Sequence, residues 1–94
     1  MIVMDRKNFR APGWSHVLST TNDVDELEAF RKRVGAPPRA LHDGIRRWPH
    51  LDLKLEPRDR ALADPGVKVF ERTRDMLCYL KALRPMEPSR PSSR

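Results

Sequence analysis

Apolar positions along this chain recur in two rhythms, every second residue and every three to four residues. Segments of the two kinds alternate, which predicts a small single-domain α/β fold with a partly parallel sheet of three to four strands and about three helices. Ile2, Val3 and Met4 form a short apolar run ended by charges. A run apolar on both faces suits a strand inside a sheet covered on both sides, with Asp5 at its carboxyl end. His16 to Thr20 is a weaker strand candidate. The clearest element is a helix from about Asp23 to Val34, where Val24, Leu27, Phe30 and Val34 make one apolar stripe. Asp23 and Glu26 are spaced as a capping box, and Arg31-Lys32-Arg33 complement the negative helix end. Gly35 is placed to leave the helix in a left-handed conformation, and Pro37-Pro38 prevent its continuation.

Arg39 to His42 is short enough for a strand end, and Asp43-Gly44 is a turn dipeptide. Trp48 precedes a proline, so Arg46 to Pro49 should be irregular. From His50 to Leu55 the alternation is strict: Leu51, Leu53 and Leu55 on one face of a strand, His50, Asp52 and Lys54 on the other. Glu56-Pro57 opens a short helix to about Ala63, and Val67 to Phe70 is a further strand. Thr73 or Asp75 begins a last helix with Met76, Leu77, Leu80 and Leu83 on its apolar face and Cys78 beside them as a small buried hydrophobe. Residues 85–94 are too rich in proline and serine to pack, so the folded domain should span 1–84 and be followed by a flexible tail.

Composition narrows the function classes. A chain of 94 residues is one domain at most. The formal net charge of +6 and pI of about 10.2 favour an anionic partner, nucleic acid or an acidic protein surface. The single cysteine, Cys78, excludes an internal disulfide and a multi-cysteine zinc site, and fits a reducing, cytoplasmic setting. The apolar start, Met1 to Met4, is too short for a signal peptide or a membrane span.

Three stretches carry a resemblance: Trp14-Ser15-His16-Val17-Leu18, Glu26-Leu27-Glu28-Ala29-Phe30 with Gly35 behind it, and Pro49-His50-Leu51-Asp52. Together they are similar to the bacterial and phage family known as domain of unknown function 4031, over roughly positions 2 to 70. The resemblance implies a first strand ending in aspartate, matched by Asp5. It also implies a histidine where this chain has Glu28 and a tyrosine where it has Leu51. These two departures would remove polar side chains from a pocket. The family name carries no reaction.

Asp5, His16, His50 and Asp52 are the candidate chemistry: carboxylates and imidazoles of the kind that hold a divalent metal or perform acid-base catalysis, with Glu28 as an outlying member. Their spacing matches no established metal motif. The competing reading is structural, with histidines bonded to backbone groups and aspartates paired with arginines. Arg31, Lys32, Arg33, Arg46, Arg47, Arg58 and Arg60, with Trp48 and Phe9, would form a phosphate- or partner-binding face, or simply a solvated one. Ser15 beside His16 is a poor nucleophile pair, since neighbours on a strand face opposite ways. Trp14 and Trp48 are expected as core or pocket walls. Three functions follow as expectations: a basic binding or accessory protein of phage or bacterial type, a metal-dependent hydrolase or nuclease built on the Asp/His set, or a homodimer paired through Leu77, Leu80 and Leu83.

Overall fold

Ile2, Val3 and Met4 send side chains alternately to opposite sides, and both sides are covered, which places their strand at the heart of the fold. The computed structural model describes residues 1–44 and 48–83. Strand β1 (Ile2–Lys7) pairs antiparallel with β2 (Trp14–Ser19) on one side and parallel with β5 (Val67–Arg72) on the other. Beyond β2, β4 (His50–Lys54) and the two-residue β3 (Leu41–His42) continue antiparallel, giving the order β3-β4-β2-β1-β5. The sheet therefore has five strands rather than three to four, because the weak candidates at His16 and Leu41 both form. Cross-strand pairing secures them, and no local pattern records it. Asp5 lies in the body of β1 rather than at its end, since β5 pairs with β1 as far as Lys7.

Helices α1 (Val24–Val34) and α2 (Leu55–Ala63) cover one face of the sheet. Leu27, Phe30, Val34 and Ala61 meet Ile2, Met4, Val17, Leu51 and Leu53 there. Helix α3 (Thr73–Leu83) follows β5 directly and takes the other face, setting Met76 and Leu80 against Val3 and Leu18. It packs chiefly on β1 and β5. The fold is thus three layers, with the second helical layer covering only one end of its face.

The α1 termini show how the local sequence dictates the element. The Asp23 side chain accepts the Glu26 amide at 3.2 Å, as half of a capping box. The other half is relayed through Ser19, whose hydroxyl donates to Glu26 Oε1 at 2.7 Å and accepts the Asp23 amide at 3.1 Å. At the far end Gly35 adopts φ 79°, and the amides of Gly35 and Ala36 satisfy the Lys32 and Arg31 carbonyls.

Two expectations change. Leu55 does not extend the leucine face of β4: its backbone turns to φ 56°, it is 72% exposed, and α2 starts there. Cys78 is exposed rather than buried. On the apolar stripe of α3, Met76 and Leu80 are buried, Leu77 is half-buried and Leu83 is exposed. Residues 85–94, expected as a tail, lie outside the described residues. No helix among the described residues is long and apolar enough to cross a membrane.

Candidate functional site

Strand register decides which polar side chains meet. His16 stands opposite Asp52, Leu18 opposite His50, and His42 opposite His50. Because alternate residues share a face, His16, His42, His50 and Asp52 all lie on the face that carries Val3 and Leu18. Asp5, two residues after Val3, joins them. All three histidines of the chain therefore gather on the α3 side of the sheet, beside that helix, with His42 exposed, His16 half-buried and His50 buried.

The cluster has two halves. In the first, the Asp5 carboxylate is fully buried and has three partners: the His16 amide at 2.6 Å, His16 Nδ1 at 2.8 Å and the Thr73 hydroxyl at 2.5 Å. A buried carboxylate is tolerated only with such compensation. As an acceptor, Asp5 takes the Nδ1 proton of His16 and leaves Nε2 as the nitrogen available to the clefts that His16 lines. In the second half, His42 Nε2 lies 3.2 Å from Asp52 Oδ2 and His50 Nε2 lies 3.7 Å from Asp52 Oδ1. His50 Nδ1 donates to the Trp48 carbonyl at 3.0 Å, which fixes the ring with Nε2 turned toward Asp52. One ligand atom from each of His42, His50 and Asp52 falls within 4.8 Å of the others. The His50 imidazole, helped by His16 and His42, holds the Asp52 carboxyl below the usual carboxylate range against the opposing effect of partial burial. The two halves touch: His42 stacks on His50 with ring centroids 5.0 Å apart, and His16 meets His50 edge-on at 6.0 Å.

Clefts flank the cluster. One of about 490 Å³ runs from His16 to Phe9, Arg10, Thr73 and Arg74. Another, of about 310 Å³, lies over His16, Asp52, Trp14 and Arg10. A third, of about 330 Å³, is bordered by His42, Asp52, Trp14, Arg39 and Lys54.

Asp5, His16, His50 and Asp52 thus come together from three strands. Glu28 does not join them: it sits on α1, across the sheet, and holds Arg31 through two bonds, at 2.9 Å and 2.5 Å. Leu51 is fully buried on the α1/α2 face. The two departures from the family pattern therefore lie away from the site and take nothing from it. Most of the expected basic face is engaged in holding the fold. Arg31 bonds the Ala36 carbonyl, Arg33 pairs with Asp64, Arg58 bonds Ser15 and the Arg6 carbonyl, and Arg60 bonds the Val34 carbonyl. Lys32 is exposed on the same helix, and Arg46 and Arg47 lie outside the described residues. Trp48 is a wall of the histidine face, packed near Leu18 and Met76. Ser15 is buried on the opposite side from His16.

Missing from the sequence-derived site were His42, Thr73 and the cations that line the clefts, Arg10, Arg39, Lys54, Arg72 and Arg74. His42 follows a lone apolar residue in a two-residue strand, so periodicity gave no face for it. Its position beside a turn dipeptide, one hairpin from His50, was the available signal.

A three-layer α/β domain with an Asp/His cluster on an open sheet face is the class that the fold and site define. The chain belongs to the family described as Protein of unknown function (DUF4031), whose model matches residues 2–82 and so includes α3 as well as the sheet. No curated protein and no solved structure matches it.

Proposed function

We propose that this protein is a divalent-metal-dependent hydrolase acting on an anionic substrate. The observation that carries the reading is the meeting of His42, His50 and Asp52 within 4.8 Å, beside an imidazole held by a buried carboxylate. Two imidazoles and one carboxylate suit a borderline ion such as Zn²⁺, Mn²⁺ or Fe²⁺, and three protein ligands leave coordination positions open to substrate and water. When bound, such an ion supplies Lewis-acid polarisation and a more acidic water. The chain's own residues supply the remainder. His50 is fixed by the Trp48 carbonyl, so one ligand is oriented in advance. His16, aligned by Asp5, is placed to move a proton at Nε2 within reach of the trio, and Thr73 helps hold the Asp5 carboxylate in position. The non-catalytic binding reading draws on the basic surface. It has less support, because Arg31, Arg33, Arg58 and Arg60 are held by intramolecular bonds.

Titration calorimetry with Mn²⁺ and Zn²⁺ tests the reading. Each ion should bind at one site per chain, and His42→Ala should weaken binding by about 10- to 100-fold. His42 is half exposed in a two-residue strand, so its removal should leave the fold intact. Binding unchanged in His42→Ala would sink the proposed centre. Ion-dependent hydrolysis of a chromogenic phosphodiester, lost in His16→Gln with ion binding retained, would establish the catalytic half.

A further inference from the structure

The three clefts share walls in sequence. His16 and Arg10 border both the 490 Å³ and the 310 Å³ cleft, and Trp14 and Asp52 border both the 310 Å³ and the 330 Å³ cleft. They form one groove that passes over His16, Asp52 and His42 and continues beyond them on both sides. Such a path suits a polymer lying across the site better than a small molecule inserted into it. Its lining is cationic at both ends, with Arg10, Arg72 and Arg74 at one and Arg39 and Lys54 at the other. Asp52, which borders two of the three clefts, is the one carboxylate in their lining among the described residues. Arg10 and Arg74 have no acidic partner among the described residues, and Arg72 meets Asp75 only at 3.5 Å. Charge alone therefore selects a polyanion.

Aromatic groups choose among polyanions. Phe9 is 75% exposed, the most exposed large apolar residue described, and it stands at the groove wall beside Arg10. Its loop is not slack. The buried Asn8 side chain accepts the Arg10 and Ala11 amides at 3.1 and 3.3 Å, and the Trp14 amide bonds the Ala11 carbonyl at 3.0 Å. A ring held in water by an ordered turn is the kind of surface on which an unpaired base stacks. Past the histidines, Trp14 offers a second ring, with the Lys54 ammonium 4.8 Å from its centre to meet a phosphate.

We infer that the groove binds single-stranded nucleic acid, stacking bases on Phe9 and Trp14 and laying an internal phosphodiester over the histidine cluster. The inference rests on the hydrolase reading for the fate of that phosphodiester. Binding itself is tested separately from ions. Fluorescence anisotropy of the full chain in EDTA, with a labelled thymidine dodecamer, should show binding at least tenfold tighter than to a duplex of the same length, because paired bases cannot reach the rings. Phe9→Ala should weaken single-strand binding about tenfold. Arg74→Ala, also exposed, should weaken it less and flatten its dependence on salt. Neither change should alter Mn²⁺ binding by calorimetry. Equal affinity for duplex or for polyglutamate, or no effect of Phe9→Ala, would overturn the inference and leave the metal centre standing. Single-strand binding of the expected kind with no ion bound would support the groove and overturn the hydrolase reading. With Mn²⁺ present, cleavage of a circular single strand is the expected outcome, and attack on linear ends alone would contradict an internal phosphodiester.

Discussion

The two faces of the sheet are made by the same strands and behave as opposites. Toward α1 and α2 the strands present Ile2, Met4, Val17, Leu51 and Leu53, and the helices close over them with apolar side chains. Toward α3 they present Val3 and Leu18 under the helix, Asp5 buried beside Thr73, and then His16, His42, His50 and Asp52. A period of two lets one strand serve both ends, because each residue on β4 that fills the core is followed by one that faces the site. The apolar core and the polar cluster are thus separated by sheet face and not by segment of chain. Substitutions one residue apart should therefore report on different properties.

The largest effect should come from the packed face. Phe30 is 1% exposed between α1 and the sheet. Phe30→Ala removes an aromatic side chain from a close-packed core and should destabilise by about 3–5 kcal/mol, measured by urea denaturation. In a domain this small that is a large share of the total, so the variant should be partly unfolded at 37 °C. A cost under about 1 kcal/mol would mean that the α1 face is not the main core.

On the opposite face, Asp5→Asn separates the two properties within one residue. The amide keeps the size of the carboxylate but replaces one acceptor oxygen with a donor, which cannot satisfy His16 and Thr73 as Asp5 does. The expected loss is about 1–3 kcal/mol for a mismatched buried group. Hydrolytic rate should fall further than stability explains, by about 10²-fold or more, because the His16 tautomer is no longer fixed. A rate that simply tracks the folded fraction would reduce Asp5 to a structural role.

Much of this was legible in the chain. The alternation from His50 to Lys54 gave both the core leucines and the polar pair opposite them, and the α1 caps were readable down to the glycine at its end. The site escaped in part because it is assembled by register. Nothing local places His16 across from Asp52, or Asp5 beside His16 eleven residues away. The surroundings of the arginines were hidden for a related reason: whether an arginine meets solvent or a carbonyl depends on what packs beside its helix, and Arg58 and Arg60 each find a carbonyl from another element. The resemblance implied pocket side chains at positions 28 and 51, but Glu28 stands on α1 across the sheet and Leu51 faces the core, as its alternation with His50 and Asp52 predicts.

The junction between the faces stores some strain. Leu55 follows β4 and opens α2 with φ 56°, a conformation unfavourable for a side chain branched beyond Cβ, and its side chain lies in water. Leu55→Gly removes the clash while giving up little burial, although it adds freedom to the unfolded chain. A net gain of up to about 1 kcal/mol is expected, seen as a higher urea midpoint. A loss would show that the leucine makes packing contacts outweighing its backbone.

The smallest effect returns to the packed side and carries a pH signature. The two hydrogen bonds from Arg31 hold the Glu28 carboxyl below its ordinary range, aided by the positive charges of Arg31 and Lys32. A carboxyl whose folded value is depressed stabilises the fold above its unfolded value, and that contribution disappears as the pH falls through the folded value. Glu28→Gln should therefore lower the melting temperature slightly at neutral pH, on the order of a few degrees or less for a partly exposed pair. The difference from the parent chain should shrink below the ordinary glutamate range and vanish in stronger acid, where both side chains are neutral. Ion binding and hydrolysis should be unaffected at neutral pH, because the whole sheet separates Glu28 from His16. If Glu28→Gln altered ion affinity as much as His42→Ala does, the division of labour between the two faces would be wrong.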